Sequence, residues 1–314
     1  MAKEERLLLA ILSNVNSSIR RVNFGPGCRI EYRPLRDVLP LISELDSLPE
    51  EEVRFNLEEQ CQAVDRRRRV WVVEGRVDLG VPPRGSGESD TNYWARNYAG
   101  ELLLLHSLQE RITLIRLMCD APAHLCAVYL YSEEGGARVH SFSQRISYNV
   151  LREQGPVTAA GAITIGKRAD RDWLPFKRDY VALAHDSFEE SFQIEQSHLR
   201  LLLLTISLEV LFNDGQGELT YKIARGAATL LGRTRAESGA VFKLVKRLYG
   251  IRSQLVHSGK YKLVTLNDVS RLRNIARRSI VRAAALNCDK ADLTARLTAA
   301  GFGGYSRLAE SSKS

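Results

Sequence analysis

Tyr249-Gly-Ile-Arg252-Ser-Gln-Leu-Val-His257-Ser-Gly259 closes a helix-rich segment that begins near Ser187. On a wheel of about 100° per residue centred on Leu248, the side chains of Val241, Leu244, Val245, Ile251 and Leu255 fall within about 60°, one apolar stripe. Arg252 lies inside that stripe, at about 40°. A guanidinium there cannot shed its proton, so it needs a partner, a ligand or a path to water. Five residues on stands His257, the side chain whose ordinary pKa suits proton transfer near neutrality. Ser258-Gly259 then ends the helix, because glycine takes the left-handed position past a C-terminus without steric cost. An intact helix sets Arg252 and His257 about 140° apart. They meet at one site only if the arginine curls, the last turn unwinds or a second subunit faces them.

The spacing Arg-x4-His says little by itself. With 35 arginines and 6 histidines in 314 residues, about 0.7 such matches arise by chance, and the sequence holds one. The flanks carry more. LTISLEVLFNDG (204–215), ELTYKIARGAATLLG (218–232) and LVKRLYGIRSQLVHSGK (244–260) follow one another in an order and spacing that resemble the Apea-like branch of the HEPN domains. The likeness covers residues 187–287 and does not reach residues 1–186. It implies an all-α bundle, a homodimer, and an Arg-x4-His unit that cleaves RNA to 2′,3′-cyclic phosphate ends without metal or other cofactor. A defence, toxin or stress-response setting, with tRNA among the candidate targets and a regulatory protein partner, also follows from it. Arg252 and His257 match the family's reactive pair. Ser253 stands where many members carry Asn, His or Asp, so a helper role for it is a departure from the pattern.

The chemistry can be set out from the residues as well. Metal-free RNA cleavage needs a base for the 2′-hydroxyl, an acid for the leaving 5′-oxygen and positive charge on the phosphorane. The sequence offers no acidic cluster suited to two-metal catalysis. Glu209 sits at the edge of the inner face of the first bundle helix, where it can pair with Arg252. Such a pair either fixes helix packing or aims the guanidinium at a phosphate. One bundle supplies one suitable histidine, since His198 reads as a surface residue, and a symmetric dimer would supply two.

Charge is concentrated in the same region. Residues 191–286 hold 16 Lys/Arg against 6 Asp/Glu, while the whole chain carries a net +8. Concentrated positive charge attracts polyphosphate chains, although a solvated helix face reads the same way. Lys243, Lys246, Arg247, Arg273, Arg277 and Arg278 are the candidate contacts to the RNA backbone.

The remaining sequence reads as an α+β N-terminal domain, residues 1–180, ahead of an up-down helical bundle, residues 187–300, and a flexible tail, 301–314. Residues 3–21 read as a helix, with Leu7, Leu8, Ile11 and Leu12 on one face. CRIEYRPL (28–35) reads as a strand, 35–48 and 49–64 as helices, and 70–79 as a strand after the run Arg66–Arg69. That arginine run reads as a solvated lead-in more readily than a phosphate contact. GVPPRGSGESDTN (80–92) is a loop. Residues 93–108 read as a helix, 111–119 as a strand, 124–132 with 137–147 as a hairpin, and 161–166 as one further strand. Three aromatic-basic clusters, Tyr93/Trp94/Arg96, Tyr129/Tyr131/Arg138 and Trp173/Phe176/Lys177/Arg178, suit base stacking but more often serve as sheet core and rim.

Residues 167–186 read as the domain junction. Helices are expected at 187–212 with a capping box from Ser187, and at 218–231, 236–257, 267–287 and 289–300. Five scattered cysteines, no metal-ligand spacing among the histidines, no membrane-length apolar run and no signal-peptide layout give a cytoplasmic protein with free thiols, neither metal nor membrane. Cys119 and Cys126 flank a candidate turn, where a bond or a metal contact is the lesser alternative to free thiols. Three classes of function remain: an endoribonuclease, a non-catalytic RNA or nucleotide binder, and a partner-assembly module.

Overall fold

The computed structural model describes residues 5–61, 63–81, 84–132, 136–141, 157–169, 174, 176–215 and 218–303. These fall into two compact units that part near residue 171.

The first unit is built on a five-stranded antiparallel sheet in the order β2-β3-β1-β4-β5. Its strands are β1 (Glu5–Ser13), β2 (Cys28–Pro34), β3 (Arg69–Asp78), β4 (His124–Ser132) and β5 (Gly136–Ser141). β1 lies in the middle, with Leu8 opposite Gly75 on one side and Leu130 on the other. Residues 3–21 are therefore not a helix. Successive strand side chains point to opposite faces, and here both faces are covered, so Leu8 through Leu12 are all buried. A strand buried on both sides reads as an unbroken apolar run, which periodicity alone does not separate from a buried helix.

One face of the sheet presents Leu9, Ile11, Val70, Val72 and Tyr129 to Leu35, Val38, Leu39 and Ile42 of α1 (Leu35–Asp46). Val53 of α2 (Glu50–Phe55) and Leu57 join the same core. The hairpin expected at 124–147 is present as β4 and β5, and its residues 142–147 lie outside the described ones.

Two other expectations are corrected. Residues 93–119 form no strand: α3 runs unbroken from Asp90 to Cys119, capped by Ser89. Residues 161–166 belong to α4 (Ala159–Ala169) instead of a strand. There a Cβ at Gly161 would stand 2.3 Å from the Cys119 sulfur, so the glycine is what allows the two helices to approach.

The second unit is helical: α5 (Asp179–Glu190), α6 (Ser197–Phe212), α7 (Leu219–Leu231), α8 (Arg235–Ser258), α9 (Leu266–Leu286) and α10 (Lys290–Ala300). α6 packs on α5 and α9, and α7 packs on α8 while touching α6, α9 and α10. Buried Leu201, Leu204, Leu208, Ile223, Leu230, Val245, Leu248, Leu272 and Ile280 form its core. The single helix expected at 187–212 is two, broken at 191–196. Ser187 caps nothing, because its hydroxyl donates to the Leu183 carbonyl inside α5. The reciprocal capping box lies instead at α9, between Thr265 and Asp268. Among the described residues no helix is long and apolar enough to cross a membrane.

Candidate functional site

α8 carries the candidate pair. Thr234 caps it by accepting from the Glu237 N–H, and Gly259 ends it at φ 62°. The helix stays regular through Ser258, so the last turn does not unwind and Arg252 and His257 remain about 140° apart around the axis.

Arg252 faces α6. Its Nη2 lies 3.4 Å from Glu209 Oε1, with the two side chains 26% and 21% exposed. The pairing anticipated from sequence is therefore formed, but incompletely. Arg252 Nε and Glu209 Oε1 are both buried without a hydrogen-bond partner among the described residues. Beside them the Tyr249 hydroxyl donates to the Thr205 carbonyl at 3.1 Å. Burial, and then the neighbouring Glu209 carboxylate, push the Tyr249 hydroxyl far above its ordinary pKa, with Arg252 opposing. Tyr249 is thus a neutral, fixed wall of the site.

His257 points elsewhere. Lys243, Lys246, Gly250, Ser253 and His257 are all exposed. Counted at about 100° per residue, they lie within roughly 40° of His257, a single solvent-facing stripe. Ser253 belongs to this stripe and not to the Arg252 side. Arg247 is different again. Its Nη2 donates to Asp268 Oδ1 at 2.7 Å, bracing α8 against the capping box of α9. Burial raises the Asp268 carboxyl, yet hydrogen bonds from Thr265 and Arg247 bring it below the usual carboxylate range.

The basic face assigned to α9 needs correction. Arg273 is 1% exposed and so faces the interior instead of a phosphate backbone. Arg277 and Arg278 are half-buried. The sequence held the signal: Val269, Arg273, Ala276 and Ile280 form an i, i+4, i+7, i+11 stripe, the same reasoning that set Arg252 apart. Arg200 of α6, not singled out from sequence, is equally buried.

Sequence reasoning also missed what His198 touches. It is half-buried, its ring 5.5 Å from that of Tyr261 in the turn just after α8. Lys260 and Lys262 are exposed on either side of Tyr261. Leu199 and Ile206 on the helix of Glu209, and Val256 on that of Arg252, are exposed apolar side chains.

No protein-family model, curated protein or solved structure matches this chain.

Of the other clusters read from sequence, two belong to the first unit, while in the second unit the Phe176 ring lies 5.0 Å from that of His185 and Arg178 donates to the Asn287 carbonyl. Tyr93 and Trp94 pack edge to face with ring centres 5.1 Å apart, while Arg96 is held by Glu88. Tyr129 is in the core, and Trp173 lies outside the described residues. None of the five cysteines is in a disulfide, and Cys126 Sγ donates to the Cys61 carbonyl at 3.9 Å. Among the described residues no three His, Cys, Asp or Glu side chains gather in a way that could hold a metal ion.

Proposed function

We propose that this protein is a metal-independent endoribonuclease whose site is completed by a second copy of the helical unit. The observation that carries the reading is the unfinished Glu209–Arg252 pair. Glu209 holds the guanidinium at 3.4 Å while the buried Arg252 Nε keeps an unused donor, and a buried donor of that kind calls for an acceptor. The guanidinium, its side chain 26% exposed, can turn that donor toward a phosphate of RNA, whose two non-bridging oxygens accept bidentately. His257 stands on an exposed lysine stripe suited to steering an RNA strand toward it. The exposed apolar surface of Leu199, Ile206 and Val256 is what a second copy would cover.

In this reading His257 of the second copy faces Arg252 across the interface and takes the 2′-hydroxyl proton as the 2′-oxygen attacks phosphorus. Arg252 holds the phosphorane charge. The same imidazole returns the proton to the departing 5′-oxygen as the P–O5′ bond breaks, leaving a 2′,3′-cyclic phosphate. Lys243 and Lys246 hold the backbone by contacts that are blind to sequence.

A non-catalytic RNA-binding role is the second reading, and the 140° separation of Arg252 and His257 within one chain favours it. The test is cleavage of bulk RNA and of tRNA by the purified full chain in EDTA, with R252A and H257A alongside. Cyclic phosphate ends, folded but inactive variants and a sedimentation mass of two chains are the expected results. Full activity in H257A, or products ending in 3′-hydroxyl, overturns the proposal. RNA binding without cleavage leaves the second reading standing in its place.

A further inference from the structure

The first unit contains a basic notch that the RNA reading does not use. Pro34, Leu35, Arg36 and Leu39 from the start of α1, Glu50 and Arg54 from α2, and Arg67 and Arg68 from the turn before β3 enclose about 320 Å³. That is the low end of the volumes small-molecule sites occupy, about 300–1,000 Å³. Four guanidiniums face one carboxylate across it.

Two of the four are already engaged. Arg68 Nη1 lies 2.7 Å from Glu58, and Arg36 Nε lies 3.5 Å from the adjacent Asp37. Arg54 and Arg67 are exposed and form no salt bridge among the described residues.

The turn that presents Arg67 and Arg68 is rigidly built. Asp65 Oδ1 accepts the N–H groups of both Arg67 and Arg69 at 3.0 Å. The Asp65 N–H donates to the Arg69 carbonyl, and the Leu35 N–H to that of Arg68. Arg68 is held at φ 57°, the left-handed region, at a cost of about 1–2 kcal/mol that an arginine bears and a glycine would not. Strain of this kind persists where its surroundings enforce it, and it gathers at ligand sites. α1 also opens onto the notch with Pro34 as its first flanking residue and no side-chain cap.

We infer that this notch binds a nucleoside polyphosphate. The arginines come from three segments and converge on one volume, which suits a compact cluster of phosphates more than an extended backbone. Pro34 is the half-buried apolar wall open to a base or ribose, with Leu35 and Leu39 buried beneath it in the sheet core. Glu50 is an acceptor for sugar hydroxyls or an exocyclic amine, and it would repel a continuous polyanion. The inference does not rest on the chemistry of the helical unit.

Its test is titration of the full chain with ATP, with pyrophosphate and with a twelve-residue oligouridine at 100 mM salt, an arbitrary setting of about physiological strength. Saturable one-to-one ATP binding, competed by pyrophosphate, is expected. R54E/R67E should weaken it at least about tenfold, the loss of two charge-assisted contacts, with the melting temperature unchanged. K243E/K246E, in the other unit, should leave ATP affinity as it was. Absence of saturable ATP binding, or equal affinity in R54E/R67E, overturns the inference. So does oligouridine binding that R54E/R67E abolishes while ATP and pyrophosphate do not bind, since the notch is then a track for nucleic acid.

Discussion

Replacing Glu209 by Gln and Arg252 by Met, singly and together, measures what their pairing contributes. At 3.4 Å the gross Coulomb attraction is about 1 kcal/mol in water and about 5 kcal/mol at an effective dielectric of 20. Both side chains keep a fifth to a quarter of their surface, so screening and desolvation reduce the net. We expect a coupling of about 1–2 kcal/mol, between the small values of exposed pairs and the 3–5 kcal/mol lost on breaking a buried one. In a unit of this size that is a melting shift of roughly 3–8 °C. The assay is urea unfolding of the full chain followed by far-ultraviolet circular dichroism, with the four proteins read as a double-mutant cycle. E209Q alone should cost more than the double variant predicts by addition, because it leaves a guanidinium half-buried with no counter-charge. A coupling below about 0.3 kcal/mol, the usual limit of additivity, would refute the reasoning. Arg252 would then be held by its aliphatic stem and not by its charge.

Further outcomes can be checked in the same way. R273A should lose about 3–5 kcal/mol of stability, as removing one partner of a buried interaction does, whereas K243E/K246E should leave the melting temperature unchanged, weaken RNA binding and lower its salt slope by about two. The depressed Asp268 pKa stabilises the folded state above the ordinary carboxylate pKa and is lost as pH falls through the lower folded value, so D268N should remove part of the acid sensitivity below about pH 4 in a pH series of thermal melts. G161A should cost about 1–3 kcal/mol by overpacking against Cys119, despite the higher helix propensity of alanine, and a G161A protein as stable as wild type counts against the close approach of α3 and α4.

What the sequence revealed follows from where each segment is buried. β2, α1, β3 and the helices α7 to α10 have one exposed side and clear end signals, such as Pro49 before α2, Gly232 after α7 and Gly259 after α8. β1, the C-terminal half of α3 and the Ile163-Thr-Ile165 stretch of α4 were misread because tertiary packing overrode local pattern. β1 is covered on both faces, and the β-branched residues of α3 and α4 sit in helices brought together by Gly161. At the site, the Arg252–Glu209 pair was legible because a charge inside an apolar stripe demands an explanation. Arg273 met the same criterion but was counted with its exposed neighbours by charge alone. The contact of His198 with Tyr261, and the shared face of His257 with Lys243 and Lys246, depend on how α6 crosses the end of α8 and on the unbroken helix.

The central place of β1 bears on how the first unit assembles. Leu8 pairs with Gly75 and Leu130, 67 and 122 residues away, so the middle of the sheet closes only after two long loops have been drawn together. Non-local pairing of this kind is slow, while helix-on-helix contacts form early. The helical unit should therefore reach its native state first in a refolding experiment, with the sheet setting the last phase. Deleting Glu5–Ser13 would leave β2-β3 and β4-β5 as separate two-stranded ribbons, each marginal in water. Their unpaired edges would make the shortened chain prone to aggregation, even though every residue of the helical unit is intact.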